Sequence, residues 1–267
     1  MKAAAPCEVL QWRSGGPPKP VHDYLAVEEP LEIQIDTRPV SVTMRTPGHD
    51  EELAAGFLFS EGLITSRTQI ASIVPYPRNE AGNAINVLLQ PEVAIDFGRL
   101  TRHLFASSSC GLCGKATIQA VHQHFPPVDS ALEVDSKVLL TLPDKLRAVQ
   151  STFDETGGLH AAGLFSVDGE LLVAREDVGR HNAVDKVLGY ALLQNLALDR
   201  HILMVSGRAS FEILQKSLAA KIPVLAAVSA PSSLAVEFAR ESRQTLVGFL
   251  RAERMNIYSH PDRVKFG

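Results

Sequence analysis

The chain has 267 residues, 45 % of them hydrophobic and 21 % charged, which excludes disordered and fibrous classes and supplies enough apolar side chains for a sizeable core. Lysine and arginine number 26 against 30 aspartates and glutamates, a formal charge of -4, so no global positive field points to nucleic acid. No stretch approaches the roughly 20 apolar residues of a membrane helix, and the opening "MKAAAPCEVLQWRSGGPPKP" lacks the apolar run of a secretory leader, so the cytoplasm is the expected compartment.

Residues 1–20, with "SGGPPKP", read as a disordered lead-in. "LEIQIDTRPVSVTMR" alternates apolar and polar residues twice, through Leu31, Ile33, Ile35 and then Val40, Val42, Met44, which predicts two strands joined as a hairpin. "TPGHDEELAAGFLFSEGLI" predicts a helix over 51–61 with Asp50 as N-cap and Leu53 and Phe57 one turn apart. "NAINVLLQ" reads as a strand, and a further strand ends near Phe105. After "CGLCGK" a helix places Ile118, Val121, His122 and Phe125 on one face, until Pro126 and Pro127 stop it.

Composition shifts there, which divides the chain into an N-terminal α+β domain over 21–128 and an α/β domain over 129–267. In the second, Leu142, Leu146, Val149 and Phe153 form one helical stripe, with Pro143 in its first turn and Gly157 and Gly158 at its stop. "AAGLFSVDGELLVAR" reads as a hairpin turning at Asp168 and Gly169. Helices at 182–195, 210–221 and 233–243 then alternate with strands at 201–206, 223–229 and 245–249, which predicts a sheet with helices on both faces.

Three cysteines cannot all pair internally, and Cys110 and Cys113 form a C-x-x-C pair between "SSS" and the expected helix. Structural zinc needs about four ligands, and this pair supplies two. His103, His122 and His124 lie nearby in sequence, but His122 shares the apolar helix face and reads as a core or edge histidine. A thiol redox site is favoured by the helix start, whose amide dipoles stabilise a thiolate, and disfavoured by the serines and glycines around it. Sulfur carriage is the third reading: an accessible, activated thiolate takes sulfane sulfur by displacement, and Cys110 stands before the helix with Lys115 close in sequence and small residues on either side. The residues by themselves leave sulfur carriage and redox chemistry both open.

"GGLHAAG" offers His160, but Ala162 stands where the H-x-E signature of zinc nucleobase deaminases needs its carboxylate, and no cysteine pair follows. In "REDVGRHNAVDKV", Asn182 is placed to cap the helix with Asp185 in its first turn, and Asp177 and His181 read as a pocket wall at the sheet edge. "MVSGRASFEI" and "VSAPSSLAVEF" are each strand, turn and helix, with Ser210 and Ser232 or Ser233 as caps; side by side they would form a rim suited to phosphate. "GFLRAERMNIY" places Arg251 and Arg254 three apart after a strand, as a phosphate clamp or a solvated basic edge.

Taken together, "TPGHDEELAAGFLFSEGLI", "SSSCGLCG", "GGLHAAGLF", "EDVGRHNAVDKV", "VSGRASFEI", "AVSAPSSLAVEFA" and "TLVGFLRAERMNIY" resemble the formate dehydrogenase accessory sulfur-carrier family, FdhD, over about 30–260. The resemblance implies an α/β protein, with a three-layer cytidine-deaminase-like C-terminal domain and a smaller N-terminal α+β domain. It implies sulfur transfer from a cysteine desulfurase to the molybdenum cofactor of formate dehydrogenase, as a cytoplasmic homodimer without nucleic-acid or membrane partners. Cys110 would carry the persulfide with Cys113 as its companion. The acceptor would be bis-molybdopterin guanine dinucleotide, bound by "FLRAER": Phe249, Leu250, Arg251, Ala252, Glu253 and Arg254. A C-x-x-C thiol oxidoreductase and a cofactor-holding chaperone are the alternatives.

Overall fold

The computed structural model of the chain describes residues 2–76, 82–95, 97 and 125–267. The expected strand ending near Phe105, the pair Cys110 and Cys113, and the helix through Val121 lie outside the described residues. Residues 4–11 correct the expectation of a disordered lead-in. They form β1 (Ala4–Gln11), paired antiparallel with β2 (Lys19–Ala26), so the Gly and Pro cluster is the turn of a hairpin.

A four-stranded sheet follows from β3 (Glu29–Ile35), β4 (Arg38–Arg45), β5 (Ile70–Pro75) and β6 (Ala84–Leu89), in the order β4-β3-β6-β5. The expected β3–β4 hairpin is present, and it turns at Asp36 and Thr37 with φ of 48° and 69°. Left-handed backbone suits such a turn but not a β-branched threonine. Side chains hold it there: Thr37 donates its amide to Asn86 Oδ1 at 3.0 Å, and Asp36 Oδ1 accepts the Leu89 amide at 3.2 Å. Helix α1 (Asp50–Ser60) buries Leu53, Ala54, Ala55 and Leu58 against Leu31, Ile33, Ile35 and Val87 of this sheet. His49, not Asp50, is its N-cap residue; both oxygens of Asp50 are taken by the buried Arg45 guanidinium at 3.0 Å.

The second sheet has six strands: β8 (His160–Phe165), β9 (Leu171–Asp177), β10 (Ile202–Val205), β11 (Val224–Ala227), β12 (Thr245–Arg251) and β13 (Arg254–Ser259), ordered β13-β12-β11-β10-β8-β9. Strands β10, β11 and β12 are parallel, and their neighbours on either side antiparallel. A short pair, β7 (Val134–Asp135) with β14 (Val264–Lys265), lies apart from it. Alternate residues face opposite ways along a strand. Leu203 and Val205 pack with α4 (Arg180–Leu193), α5 (Phe211–Ala219) and α6 (Ser233–Glu241), while Ile202 and Met204 pack with α2 (Ser136–Arg147). The alternation of helix and strand thus yields a mixed α/β fold with helices on both faces of this sheet. Among the described residues no helix is long and apolar enough to cross a membrane.

The single stripe expected through Leu142 and Phe153 is instead two helices, α2 and α3 (Ser151–Thr156). The break has a cause on a neighbouring strand. Glu176 on β9 accepts the amides of Thr152 at 3.0 Å and Phe153 at 2.7 Å, so these N–H groups do not continue the ladder of α2. Val149 is left exposed.

Helix α1 joins the two sheets by crossing α4 at two glycines. A Cβ built on Gly56 would lie 1.8 Å from the Asp185 carbonyl oxygen, and one on Gly189 would lie 1.8 Å from that of Glu52, so the backbones themselves touch. Around this contact runs a seam of buried charge. Lys216 meets Asp185 at 3.0 Å and Glu61 at 3.1 Å, with Ser60 donating to Asp185 at 2.7 Å. Lys186 meets Asp177 at 2.7 Å, and Arg175 meets Glu52 at 2.6 Å. Burial lowers the Lys216 ammonium, but Asp185 and Glu61 outweigh it and the net direction is upward, while burial pushes the Asp185 carboxyl up against the pull of Lys216 and Ser60.

Two stability measurements check this joint. Gly189→Ala should lower unfolding free energy by about 3 kcal/mol or more, because neither backbone can yield without separating the helices, whereas Gly16→Ala, where the added Cβ meets nothing closer than 3.9 Å, should change it by less than about 0.5 kcal/mol. Lys216→Met should cost about 3–5 kcal/mol by stranding Asp185, and adding Asp185→Asn should restore part of that loss; denaturant titration reads both.

Candidate functional site

The carboxyl ends of parallel strands are where open α/β sheets leave a crevice. Here β10 runs into Ser206, Gly207 and Arg208 before α5, and β11 runs into Val228 and Ser229 before α6. The two turns lie side by side: Ala209 donates to Ala230 at 3.2 Å, Ser232 donates to Ala209 at 3.0 Å, and Ala209 bridges Pro231. Ser232 caps α6 by accepting the Ala235 amide at 3.2 Å. Ser210 sits at the N-cap of α5 without capping it through its side chain; its hydroxyl is 3.3 Å from His181 Nε2 and donates to Glu212 at 3.3 Å.

Beside these turns lies a cavity of about 790 Å³. His160 at the start of β8 and Arg180 at the start of α4 line it together with both turns, and α2 and α3 close it through Arg147 and Phe153. Gly207 lets the chain pass close to the imidazole, since a Cβ there would stand 3.3 Å from His160 Nδ1. Arg147 stacks its guanidinium 4.9 Å from the Phe153 ring centre and pairs with Asp154. Arg180 and Arg208 form no ion pair with any described residue, and Arg180 Nε is buried without a hydrogen-bond partner among them. Asp144 is the one carboxylate among the cavity's described lining residues.

Electrostatics follow from that inventory. Burial first, then Arg180 and Arg208, push the His160 imidazole below its ordinary 6.5. It is therefore neutral near pH 7, offering one donor and one acceptor nitrogen. Because the unfolded chain takes up this proton first, the stability attached to the neutral ring is present at high pH and is lost as pH falls below 6.5.

The expected pocket wall at Asp177 and His181 is corrected. Asp177 is fully buried and accepts from Thr46 at 3.2 Å, Gly179 at 2.8 Å, Asn182 at 3.0 Å and Lys186 at 2.7 Å, so its carboxylate is consumed in shaping the turn that delivers Arg180. His181 pairs with Glu212 at 3.1 Å and is not part of the lining; Arg180 beside it is. Asn182 does not cap α4: it donates to Met44 O at 2.7 Å and accepts from Thr43 at 3.1 Å. Asp185 is spent on Lys216 and Ser60. The α2–α3 wall carries no local signal in the sequence, where the apolar stripe conceals the break that Glu176 imposes.

Residues Phe249 to Arg254 form the end of β12, its turn and the start of β13. A register shift between Gly248 and Arg251 bulges the strand, and Phe249, at φ 50°, turns outward and is exposed while Leu250 is buried. This hairpin abuts the cavity rim. Phe249 donates its amide to Ser229 O at 3.2 Å, and Arg251 Nη1 donates to Val228 O and, at 2.9 Å, to Leu250 O. Ala252, Glu253 and Arg254 are exposed.

Fold and site define a mixed α/β protein with an electropositive recess at the ends of its parallel strands. The chain belongs to the FdhD/NarQ family, whose model matches residues 26–265. It is 52 % identical over 251 residues to the sulfur carrier protein FdhD of Streptomyces coelicolor, covering 91 % of this chain and 89 % of that one. The protein of the same name from Saccharolobus solfataricus is 44 % identical over 246 residues, covering 91 % of each. A crystal structure from Desulfotalea psychrophila, provisionally named a formate dehydrogenase accessory protein, superposes with a TM-score of 0.78 at 26 % identity, covering 99 % of this chain and all of that one.

Proton-detected titration of the histidines checks the electrostatic account. His160 should show a midpoint below 6.5, and Arg208→Gln should move that midpoint upward by removing a neighbouring positive charge.

Proposed function

We propose that this chain is a sulfur carrier required for formate dehydrogenase activity, moving sulfur from a cysteine desulfurase to the molybdenum cofactor before that cofactor is inserted. The observation that carries the reading is the family match over 26–265 in a chain whose C-x-x-C pair is intact at Cys110 and Cys113. The Cys110 thiolate attacks the terminal sulfur of a donor persulfide. The donor's S–S bond breaks, its thiolate leaves, and Cys110 holds the sulfane sulfur as a persulfide. Cys113 is its companion in the same segment, and the activity is that of a sulfurtransferase.

The acceptor substrate in this reading is bis-molybdopterin guanine dinucleotide, seated at Phe249, Leu250, Arg251, Ala252, Glu253 and Arg254. Support comes from the exposed Phe249 ring, which offers a face for a guanine, and from the way this hairpin adjoins an electropositive cavity. The second sheet, covered by helices on both faces with His160 opening β8, supports reading 129–267 as a deaminase-like scaffold beside an N-terminal α+β domain over 21–128. Ala162 in place of the signature carboxylate argues against deaminase chemistry on it. A cytoplasmic homodimer belongs to the same proposal.

Incubation with a desulfurase and cysteine, followed by peptide mass spectrometry, should find added sulfur on Cys110. Cys110→Ala should reduce formate dehydrogenase activity to background in a strain lacking its own carrier. Sulfur found only on Cys7 would reject the assignment. Full activity with Cys110→Ala would leave a cofactor-holding chaperone, and a reversible Cys110–Cys113 disulfide coupled to substrate turnover would leave a thiol oxidoreductase.

A further inference from the structure

We propose that the outward face of the β1–β2 hairpin is where two copies of this chain meet, stacked face to face about a two-fold axis that runs along the hairpin. The inference rests on the homodimer in the reading above and deepens it by naming the surface and its symmetry.

The pairing of β1 with β2 fixes which side chains share a face. Pro6 stands opposite Tyr24, Glu8 opposite His22 and Leu10 opposite Pro20, and cross-strand partners at alternate positions point the same way. All six are exposed, so they form one continuous patch. Leu10 is 70 % accessible and Tyr24 44 %, and Trp12, one residue past the end of β1, adds a ring that is 64 % accessible. The opposite face carries Cys7, Val9 and Val21, which are half-buried, and α3 packs on both strands. Of the eleven large apolar side chains exposed among the described residues, four belong to this hairpin, the fourth being Leu25. Such a concentration marks an interaction surface.

Strand addition is not how a second copy attaches. The ladder of β1 and β2 runs unbroken through Pro6 and Pro20, so the ring nitrogens face the two free edges and interrupt each of them. What remains is the face.

Charge selects both the occupant and the axis. Among the described residues neither the Glu8 nor the His22 side chain has a partner. A two-fold axis along the hairpin lays β1 over the β2 of a second copy. Glu8 then meets the partner's His22, Leu10 the partner's Pro20 and Pro6 the partner's Tyr24, and each contact occurs twice. A two-fold axis across the strands, centred on the same pair, sets Glu8 on the partner's Glu8, and like charges oppose that arrangement. The patch therefore carries its own complement, which is what contact between identical surfaces requires.

Sedimentation velocity of the full chain over a range of concentrations tests this, and the wild type should be a dimer. Leu10→Asp combined with Tyr24→Asp should raise the dimer dissociation constant by about tenfold or more, because symmetry buries each new charge twice. Both positions are exposed in the single chain, so its circular dichroism should not change. Trp12 is the only tryptophan, and its emission should move to shorter wavelength as the wild type associates but not in the double variant. Under an oxidant, Glu8→Cys mixed with His22→Cys should give an interchain disulfide that mass spectrometry assigns to these two positions. A dimer unaffected by the double substitution would overturn the surface and leave the homodimer standing. Dimerisation without the mixed crosslink, or with Glu8→Cys linked only to itself, would overturn the stacking. A wild type that stays monomeric at every concentration would overturn the surface and the homodimer together, while sulfur carriage still stands or falls on Cys110.

Discussion

Two helices meet with no side chain between them at Gly56 and Gly189, and the contact brings the carbonyls of Glu52 and Asp185 to the opposing backbone. Glycine inside a helix costs roughly 1 kcal/mol against alanine, and the return is a closeness that no other residue permits. Only at that separation can side chains from one half reach the other. Arg45 belongs to the four-stranded sheet and ties down Asp50 of α1, while Glu52 on α1 reaches Arg175 on β9. Lys216 on α5 reaches Glu61 just beyond α1, and Thr46 N–H and carbonyl meet Asp177 and Lys186. Buried charges are tolerable when each finds an opposite partner and further hydrogen bonds, and here they do.

The site inherits its geometry from that seam. Asp177 is the last residue of β9, and its four accepted hydrogen bonds shape the turn through Gly179 that begins α4 with Arg180. One of those donors, Thr46, comes from the segment after β4, so the N-terminal sheet helps set where a guanidinium enters the cavity. A second dependence runs through Glu52, whose carboxyl is held low against its burial by Arg175 and His49. The charged residues of "REDVGRHNAVDKV" are therefore largely architectural, and Arg180 is the one that lines the recess.

Much of the fold is legible in local pattern. The strands β3, β4, β6 and β10 to β12, and the helices α1, α4, α5 and α6, follow from apolar periodicity because each buries one face or both. Ser232 announces its helix by ordinary capping. What was not legible is non-local. Asp185 looks like a first-turn acid, yet its partners are Ser60, 125 residues earlier, and Lys216. Asp177 looks like a pocket acid until Lys186 and Thr46 are seen to enclose it. The hairpin of β1 and β2 is not legible in the sequence because much of it is exposed, so its strands lack the alternation that burial imposes. At the candidate site, the two glycine and serine turns and Arg208 could be read from sequence; the facing wall of Arg147 and Phe153 could not, since it depends on a carboxylate from another strand.

That carboxylate, Glu176, has a thermodynamic meaning. A helix of six residues has no standing by itself in water, and α3 lacks a side-chain cap of its own, its first amides being satisfied from β9. Part of the wall, α3, therefore depends on β9 for its place, so the recess is complete only in the folded chain. A guest that fills it selects the native state alone, so occupancy and conformational stability are linked quantities: whatever the recess holds adds its binding free energy to the whole fold.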